Sequence, residues 1–375
     1  MKTRAVVLHK IGHERPYHKT KPLTIEEVEL DDPGFEEVLV KIKAAGICHS
    51  DLSVVDGNRP RPVPMVLGHE AAGVIEEVGD HVKGFKKGDH VVFAFLPSCG
   101  QCKYCQSGRT ALCEPGAAAN TAGTLLNGDR KIKKDGKSYY HHLGVSGFAD
   151  YAVASIHSLV KIDKKIPFDV AAIFGCAILT GVGAVVNTAK MRAGESALVV
   201  GLGGVGLSAI LGAQAAGASK IIGADISQYK LDIAKDFGAD EVVNSGDKDA
   251  MDKVKAMTNK GPDIALEFAG AMPALDFAFN ATNRGGRTVT AALPHPDARL
   301  SLNPLTLVGQ EKSLKGCYLG SSSPKVDIPN LMDMYQAGRL PVEKLITHHL
   351  KLEDINEGFE RLAAGEAIRQ VILFD

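Results

Sequence analysis

The sequence predicts two domains of different architecture, a largely β domain and an α/β domain built on a doubly wound parallel sheet. A chain of 375 residues is longer than one hydrophobic core usually supports. Short alternating and β-branched runs, bounded by Gly, Pro or Asp, dominate the first 160 residues and predict many short strands. From about residue 178, strand-like and helix-like runs alternate, which is the pattern of a parallel sheet with helices on its faces.

The individual elements follow in chain order. The strands predicted for the first part are TRAVVL, EVLVKIKAAG, AAGVIEEVG, DHVVFAF and ADYAVAS. Residues 127–142, NGDRKIKKDGKSYYHH, are charged and predict a surface loop. The second part continues as SALVVGLGGVG, GLSAILGAQAAG, SKIIGADIS, YKLDIAKDFG, DEVVNS and PDIALEFAG. The last fifty residues predict a helix in INEGFERLAAGEA and a final strand in RQVILF.

Composition and charge exclude several classes of protein. The formal net charge is −1, so nothing indicates binding to nucleic acid or to an anionic membrane. The N-terminus lacks the apolar core of a signal peptide, and the apolar run 170–186 contains three Gly and predicts a buried helix. We therefore expect a cytoplasmic protein, in which thiols stay reduced and clustered cysteines favour a metal over disulfides.

A glycine-rich turn predicts a nucleotide site. GLGGVG, residues 201–206, fits G-x-G-x-x-G between a predicted strand and a predicted helix, and Asp225 ends the next strand at the usual spacing of about 20 residues. Gly201 permits the turn, Gly203 allows backbone amides to approach a pyrophosphate, and Gly206 allows close helix packing. Asp225 would accept hydrogen bonds from ribose hydroxyls and repel a 2′-phosphate, which favours NAD over NADP, and Lys230 could reach the same ribose. A glycine-rich turn without a nucleotide is the alternative.

Four cysteines lie close together in the segment CGQCKYCQSGRTALC. Cys99, Cys102, Cys105 and Cys113 offer the all-thiolate shell of a structural zinc site, which leaves no open position for substrate. An iron–sulfur cluster and two disulfides are the alternatives. Zinc is favoured, because Pro does not directly follow the fourth Cys and because the compartment is reducing. The ion would fold a long loop that has little core of its own.

The three remaining cysteines are Cys48, Cys176 and Cys317. With His69 from the segment GHE, Cys48 and Cys176 would supply two thiolates and one imidazole, a zinc site with an open fourth position. Spacing alone does not distinguish this site from buried Cys and His residues that only pack.

The sequence resembles the zinc-dependent medium-chain alcohol dehydrogenases along essentially its whole length. GICHSD, LGHEAAGVIEEVG, the four-cysteine loop, GLGGVG, LSLNPLTLVGQEKSLKG and INEGFERLAAGEAIRQVILF all occur in register. The segment GTLLNGDRKIKKDGKSYYHHLG is similar to the insertion of the longer, animal-liver type members. The resemblance implies a GroES-like catalytic domain over residues 1–177 and 320–375, and a Rossmann NAD-binding domain over residues 178–319.

The resemblance also implies the roles of individual residues. Cys48, His69 and Cys176 would hold a catalytic zinc, and the four-cysteine loop a structural one, giving two Zn²⁺ per subunit. Glu70 would be an outer or transient ligand, Asp51 would orient the His69 ring, and Ser50 would take up the hydroxyl proton of the alcohol. His49 would face the coenzyme pyrophosphate. The implied coenzyme residues are Gly201, Gly203, Gly204, Val205, Gly206, Asp225, Lys230, Thr180 and Arg369, and the implied substrate residues are Phe95, Leu143, Leu293 and Leu319.

The chain departs from the family pattern at two places, Ser53 and Ala117, and Arg59 and Arg61 have two possible roles. Many relatives end the proton relay in a histidine at the position of Ser53, so protons would leave through water or through another group such as His49. Ala117 stands where thiol-dependent formaldehyde dehydrogenases carry Arg. Arg59 and Arg61 are either exposed loop charges or recognise a substrate carboxylate or thiol conjugate.

The resulting prediction is an enzyme that oxidises a primary aliphatic, allylic or aromatic alcohol to the aldehyde, reversibly, with hydride transfer to NAD. The alternatives are a dehydrogenase of thiol–formaldehyde adducts and a non-catalytic zinc- and nucleotide-binding structural protein. The expected partner is a small-molecule substrate. The family implies a homodimer or homotetramer joined through coenzyme-domain strands, for which RTVTAAL and LSLNPLTLV are suitable.

Overall fold

A computed structural model describes all 375 residues and divides them into two compact units. The first unit comprises residues 1–176, 323–333 and 346–375, and the second comprises residues 177–322 and 334–345. The strands are β1 Lys2–Leu8, β2 Leu23–Leu30, β3 Glu37–Ile47, β4 Met65–Val66, β5 Glu70–Val78, β6 His90–Phe93, β7 Ile132–Lys134, β8 Lys137–His141, β9 Tyr151–Ser155, β10 Leu159–Lys161, β11 Ser196–Val200, β12 Lys220–Asp225, β13 Glu241–Asn244, β14 Ile264–Glu267, β15 Arg287–Thr290, β16 Ser313–Gly316, β17 Ile346–Leu350 and β18 Arg369–Leu373.

The helices are mostly short in the first unit and longer in the second. They are α1 Tyr17–Thr20, α2 His49–Val55, α3 Lys103–Gln106, α4 Glu114–Ala122, α5 Phe168–Ile173, α6 Leu179–Gly183, α7 Gly204–Ala215, α8 Gln228–Asp236, α9 Ala250–Met257, α10 Met272–Ala281, α11 Pro304–Gly309, α12 Pro324–Gln336 and α13 Ile355–Ala364. Two π-helical turns, Phe174–Ile178 and Ala184–Ala189, adjoin α6.

The first unit is built on β-sheets. Five strands close a barrel in the order β1-β2-β7-β8-β4, and a second sheet runs β10-β6-β5-β3-β18-β17, with β9 also paired to β3. The hydrophobic core of the barrel includes Val7 and Val66, and Val153 of β9 belongs to the same cluster; all three are fully buried. This arrangement confirms the GroES-like fold expected for the catalytic part.

The second unit is a doubly wound parallel sheet. Its strand order is β13-β12-β11-β14-β15-β16, and every neighbouring pair is parallel. The central strands are continuous apolar runs because both faces of the sheet are covered by helices. The Rossmann architecture predicted from the strand and helix alternation is confirmed.

The prediction of a surface loop over residues 127–142 is wrong. The segment forms the antiparallel hairpin β7–β8, which closes the barrel, with β8 pairing in parallel with β4. Asp135 and Gly136 make the turn, both with positive φ. An Asp-Gly pair between two strands is a strong hairpin signal, and the charged residues around it face away from the core.

The strand-like interpretation of LSLNPLTLV is also wrong. Residues 304–309 form α11, because Pro304 suits the first helical position and the Asn303 side chain accepts the Leu305 amide at 2.9 Å. The strand at this edge of the parallel sheet is instead β16.

The division into units differs from the predicted domain boundaries by one to three residues at 177 and 320–322, and by a longer segment near the C-terminus. Residues 334–345 belong to the second unit, although the sequence placed 320–375 in the first. The turn Val342–Leu345 packs on α7, with Leu340, Val342 and Leu345 buried, so this segment completes the core around that helix.

One apolar helical stretch, Phe168–Ala189, is long enough by length and composition to cross a membrane. Its most apolar window is 89% buried within the protein. This is the burial predicted for the apolar run 170–186.

Candidate metal and coenzyme sites

The first unit brings together donors that are far apart in the sequence. Ligand atoms of Cys48, His69, Glu70 and Cys176 all lie within 4.8 Å of one another, and all four residues are buried. Nε2 of His69 and Oε2 of Glu70 are buried without a hydrogen-bond partner. Buried polar atoms are normally satisfied, so this cluster is suited to bind a cation.

Local structure explains how each donor is held. Cys48 is the N-cap of α2, and Asp51 at the third helical position accepts the Cys48 amide at 3.2 Å. His69 follows β4 and directly precedes β5. At Gly68, φ is 94°, and a Cβ would lie 2.5 Å from the Phe148 amide nitrogen, so the turn before His69 requires glycine. Cys176 lies in the π-helical turn Phe174–Ile178, a geometry frequent at functional sites.

Asp51 orients the imidazole of His69. The His69 Nδ1 donates to Asp51 Oδ1 at 3.0 Å, and both side chains are fully buried. Because Nδ1 carries the proton, the lone pair of a neutral imidazole is on Nε2, on the side of Cys48 and Cys176. Burial by itself would raise the pKa of Asp51. The nearby His69 and the hydrogen bonds from His69 and His142 outweigh it, so the pKa is lowered.

The surroundings of the cluster shift the pKa values of its two thiols and its carboxylate differently. The hydrogen bond from Cys176 and the positive charge of Arg369 lower the pKa of Cys48, although burial opposes this. The same hydrogen bond, together with burial, raises the pKa of Cys176. Burial raises the pKa of Glu70 to about 7, although Arg369 opposes the shift from 3.3 Å.

The four-cysteine loop forms a second, more exposed cluster. The sulfur atoms of Cys99, Cys102, Cys105 and Cys113 lie within 4.8 Å of one another. Three backbone amides donate to these sulfurs: Cys99 to Cys113 at 3.3 Å, Cys102 to Cys99 at 3.4 Å, and Gly116 to Cys113 at 3.4 Å. Backbone hydrogen bonds, chiefly that of Cys105, lower the pKa of Cys102 to about 6. Four sulfur donors with amide support suit a tetrahedral ion that has no open position.

The glycine-rich turn of the second unit has the geometry of a coenzyme site. Gly201, with φ 89°, directly follows β11, and α7 begins at Gly204. A Cβ at Gly206 would overlap the carbonyl oxygen of Gly201, whereas a Cβ at Gly203 would meet nothing within 4 Å. Gly206 is therefore required for packing, and Gly203 leaves the helix N-terminus accessible. Asp225, at the end of β12, accepts the Leu202 amide at 2.7 Å and the Ser227 amide at 3.0 Å.

Other implied coenzyme residues are divided between the units. Thr180 is buried in α6, Val205 lies in the first turn of α7, and Lys230 is half-buried in α8. Arg369 belongs to the first unit, where it is buried at the start of β18 and 3.3 Å from Glu70. Its role toward the coenzyme stays a prediction.

The implied substrate residues are also divided. Phe95 is buried, and its ring meets that of His69 edge to face at 5.5 Å, while Leu143 is buried in the turn after β8. Leu293 and Leu319 belong to the second unit, and their place in the pocket stays a prediction.

The polar residues near the cluster differ in exposure. In α2, His49 is exposed and Ser50 half-buried. The Ser53 hydroxyl donates to the His49 carbonyl at 2.8 Å. Arg59 and Arg61 are half-buried, and Arg61 donates to the Asn120 carbonyl at 3.1 Å, so neither is a fully exposed loop charge.

The sequence analysis missed His142. This buried residue lies with Nδ1 3.1 Å from Asp51 Oδ1, and its ring is 5.5 Å from that of His69. A surface loop over residues 127–142 gives this histidine no role, whereas the observed hairpin β7–β8 leads directly to it. The assignment of the neighbouring Leu143 to the substrate pocket was the available signal.

A coenzyme turn on a Rossmann sheet, a closed sulfur shell and an open Cys–His–Cys donor set together define a metal-dependent dehydrogenase. The alcohol dehydrogenase GroES-like domain model matches residues 34–164, and the zinc-binding dehydrogenase model matches residues 204–337. The chain belongs to the zinc-dependent medium-chain alcohol dehydrogenases, and it is an oxidoreductase of that family.

Individual relatives match nearly the whole chain. The NDMA-dependent alcohol dehydrogenase of Amycolatopsis methanolica is 39% identical over 378 residues, which cover 100% of this chain and 99% of that protein. Alcohol dehydrogenase class-3 of Drosophila melanogaster is 39% identical over 362 residues, covering 94% and 95%. The crystal structure of benzyl alcohol dehydrogenase from Acinetobacter calcoaceticus superimposes with a TM-score of 0.93 at 32% identity, covering 100% of both chains.

Proposed function

We propose that the protein oxidises primary alcohols, aliphatic, allylic or aromatic, to aldehydes with NAD as hydride acceptor, reversibly. The observation that carries the proposal is the convergence of Cys48, His69 and Cys176 in a buried cluster where His69 Nε2 has no hydrogen-bond partner. Two thiolates and one imidazole are the three-ligand set of a catalytic zinc with an open position. A zinc ion held by them supplies Lewis acidity toward an alcohol hydroxyl or an aldehyde carbonyl.

The surrounding residues prepare this donor set. Asp51 keeps the proton of His69 on Nδ1 and so presents Nε2 as a ligand. Arg369 faces Glu70 and favours the ionised form of Cys48. Glu70 is suited to be an outer or transient ligand, because its Oε2 lacks a partner.

The proton of the alcohol leaves by way of Ser50 in this proposal. Ser50 is half-buried in the first turn of α2, two residues after Cys48. The hydroxyl of Ser53 is directed to the His49 carbonyl within the same helix. We therefore propose that the relay continues from Ser50 to solvent without Ser53.

The coenzyme preference is attributed to Asp225. Two backbone amides hold this carboxylate at the end of β12, at the position that accepts ribose hydroxyls in Rossmann sites. A 2′-phosphate would be repelled there, which supports NAD over NADP.

The substrate class is inferred from the apolar residues beside the cluster. Phe95 contacts the His69 ring and Leu143 is buried after β8, so an uncharged alcohol is favoured. The benzyl alcohol dehydrogenase relative supports the aromatic choice. The second candidate, a dehydrogenase of thiol–formaldehyde adducts, is supported by the class-3 relative and by the half-buried Arg61, whereas Ala117 argues against it.

A substrate panel tests these proposals. We expect turnover of ethanol, hexanol, cinnamyl alcohol and benzyl alcohol with NAD, a lower rate with NADP, and a smaller preference in the Asp225→Ser variant. Formaldehyde oxidation that requires added glutathione would select the second candidate. Activity only with NDMA as electron acceptor would overturn the assignment of free NAD as oxidant, and no turnover in any arm would leave a non-catalytic binding protein.

Metal content and assembly complete the proposal. We propose two zinc ions per subunit, one in each cluster, and a homo-oligomer joined through β16, which has a strand on one side only. Elemental analysis of the purified protein should give two zinc ions per chain. Light scattering should give a mass of two or four chains.

A further inference from the structure

We propose that His142 is a positioning residue for the metal site: it shares Oδ1 of Asp51 with His69 and thereby fixes the carboxylate that orients the His69 ring. The inference rests on the proposed metal-binding role of Cys48, His69 and Cys176. It adds a third side chain to the Asp51–His69 pair.

The geometry brings two separate segments to a carboxylate that the start of its own helix also holds. His69 Nδ1 lies 3.0 Å and His142 Nδ1 lies 3.1 Å from Asp51 Oδ1, while Oδ2 accepts the Cys48 amide at 3.2 Å. The two imidazole rings stand nearly perpendicular, at 85°. All three side chains are essentially inaccessible to solvent, so water cannot replace a missing partner.

Proton placement follows from the chemistry of the groups. An ionised carboxylate only accepts hydrogen bonds, so a ring nitrogen that faces it favourably carries a hydrogen. Nδ1 of His142 is buried and makes no aligned hydrogen bond, and Asp51 Oδ1, at 3.1 Å, is the acceptor within its reach. Removing this donor would leave Oδ1 with His69 alone, and an incompletely satisfied buried carboxylate is costly.

The backbone holds His142 in place. Its amide lies 3.1 Å from the Ser146 hydroxyl oxygen and 3.3 Å from the Val66 carbonyl, and the Ser146 hydroxyl donates to the same carbonyl at 3.0 Å. Val66 ends β4, the strand that leads to His69. The strand β4 therefore anchors the imidazoles of both His69 and His142, and main-chain contacts set the distance between the two rings.

The competing explanation is that His142 only fills space in the core. Three substitutions distinguish this packing role from the proposed positioning role. Asn places an amide nitrogen close to the position of Nδ1, so His142→Asn retains the donor toward Asp51. Gln places its amide near the position of Nε2, so His142→Gln keeps polarity and loses this donor. His142→Phe keeps the ring and loses both nitrogens.

The test measures metal retention in the purified zinc-loaded protein. We expect zinc release into a chromogenic chelator to show two phases, one for each cluster. The phase that is absent from the Cys48→Ala protein belongs to the Cys48 cluster. We expect this phase to be about 10- to 100-fold faster in His142→Gln and His142→Phe, the usual effect of losing an outer-shell partner, and within about threefold of wild type in His142→Asn. The phase of the four-cysteine loop should be unchanged, which reports that each variant is folded.

Cobalt exchange supplies a spectroscopic readout. After Co²⁺ replaces zinc in the Cys48 cluster, the visible d–d bands should shift in His142→Gln and His142→Phe and stay in place in His142→Asn. Equal release rates and spectra in all variants would overturn the role of His142, as would a His142→Asn variant as labile as His142→Phe.

These outcomes are distinct from failure of the proposed function. Wild-type protein that retains metal in the Cys48 cluster but oxidises no alcohol would remove the proposed reaction and leave the role of His142 standing. Wild-type protein that binds no metal there would overturn both.

Discussion

The two cysteine-rich clusters of the first unit differ in how their donors are distributed along the chain. The four-cysteine loop draws all its donors from residues 99–113, and three backbone amides from residues 99–116 support them. The Cys48 cluster draws on residues from position 48 to position 176, and a fully buried carboxylate, Asp51, orients its histidine. The first is complete in itself, while the second depends on the packing of the whole unit.

This difference assigns different tasks to the two clusters. Four thiolates would close a tetrahedral shell around an ion, so we expect the loop to stabilise structure and to offer no position to a substrate. Two thiolates and an imidazole leave such a position, and an aromatic residue, Phe95, lies against the imidazole. We therefore propose that the most conspicuous metal motif of the sequence is the less reactive one.

The largest effect is expected from Cys48→Ala. Removing a ligand of the open cluster should lower kcat/KM by about 10⁴-fold or more, because the Lewis acid is lost while the coenzyme site is retained. Steady-state kinetics together with zinc analysis should show activity near the background and one zinc ion per chain.

The matched control is Cys317→Ala, which removes a buried thiol of the second unit that the Thr188 hydroxyl contacts at 3.1 Å. It should keep both zinc ions and most of the activity. A Cys48→Ala protein that retains two zinc ions would contradict the division of labour between the clusters.

Cys105→Ala should act mainly on stability. Opening the closed cluster should release its ion and unfold the loop, lowering the free energy of unfolding by about 3 to 5 kcal/mol. Urea unfolding followed by circular dichroism would measure this loss, with Cys317→Ala again as the reference. If the variant lost activity completely while its stability was unchanged, the loop would belong to the reaction and the comparison would fail.

Acid should destabilise the protein in two ways, by releasing the two metal ions and by protonating His141. Variants at His141 separate the second effect from the first. Burial first, and then the charges of Lys131 and Arg130, lower its pKa from 6.5 to about 4. Folding therefore favours the neutral ring. Its stabilising contribution is complete above pH 6.5 and is lost as the pH falls toward 4.

Between pH 7 and pH 5, wild type should lose about 2 kcal/mol more unfolding free energy than His141→Gln. Glutamine can still accept the Lys131 amide that meets Nε2 at 3.1 Å. Urea titrations of both proteins at each pH would give the difference, and parallel curves would show that His141 does not couple protonation to folding.

The smallest effect is expected from Ala117→Arg. Ala117 is exposed on α4, the helix that Cys113 of the loop begins, so the substitution should leave stability unchanged. It should raise kcat/KM for the glutathione–formaldehyde adduct by about tenfold, the worth of one charge-assisted hydrogen bond. Ala117→Gln provides the uncharged control, and equal rates for the two variants would show that the loop has no part in substrate selection.

Much of the fold was predictable because local signals agreed with it. Three glycines and an aspartate predict the coenzyme turn, and Gly206 lies too close to the carbonyl oxygen of Gly201 to carry any side chain. The charged residues of 127–142 hide the hairpin β7–β8, although the Asp135-Gly136 pair indicates its turn. The alternating pattern of LSLNPLTLV resembles a strand, although Asn303-Pro304 indicates the start of a helix.

The sequence by itself determined the two architectures, the four-cysteine loop and the identity of the residues that could bind metal, since each depends on short-range spacing or periodicity. Only the tertiary structure decided that Cys48, His69 and Cys176 meet, and that His142 joins Asp51 beside them. The reason is physical: ligands from separate segments converge only when strands and helices pack, and the lack of solvent there makes each buried donor and acceptor depend on its neighbours.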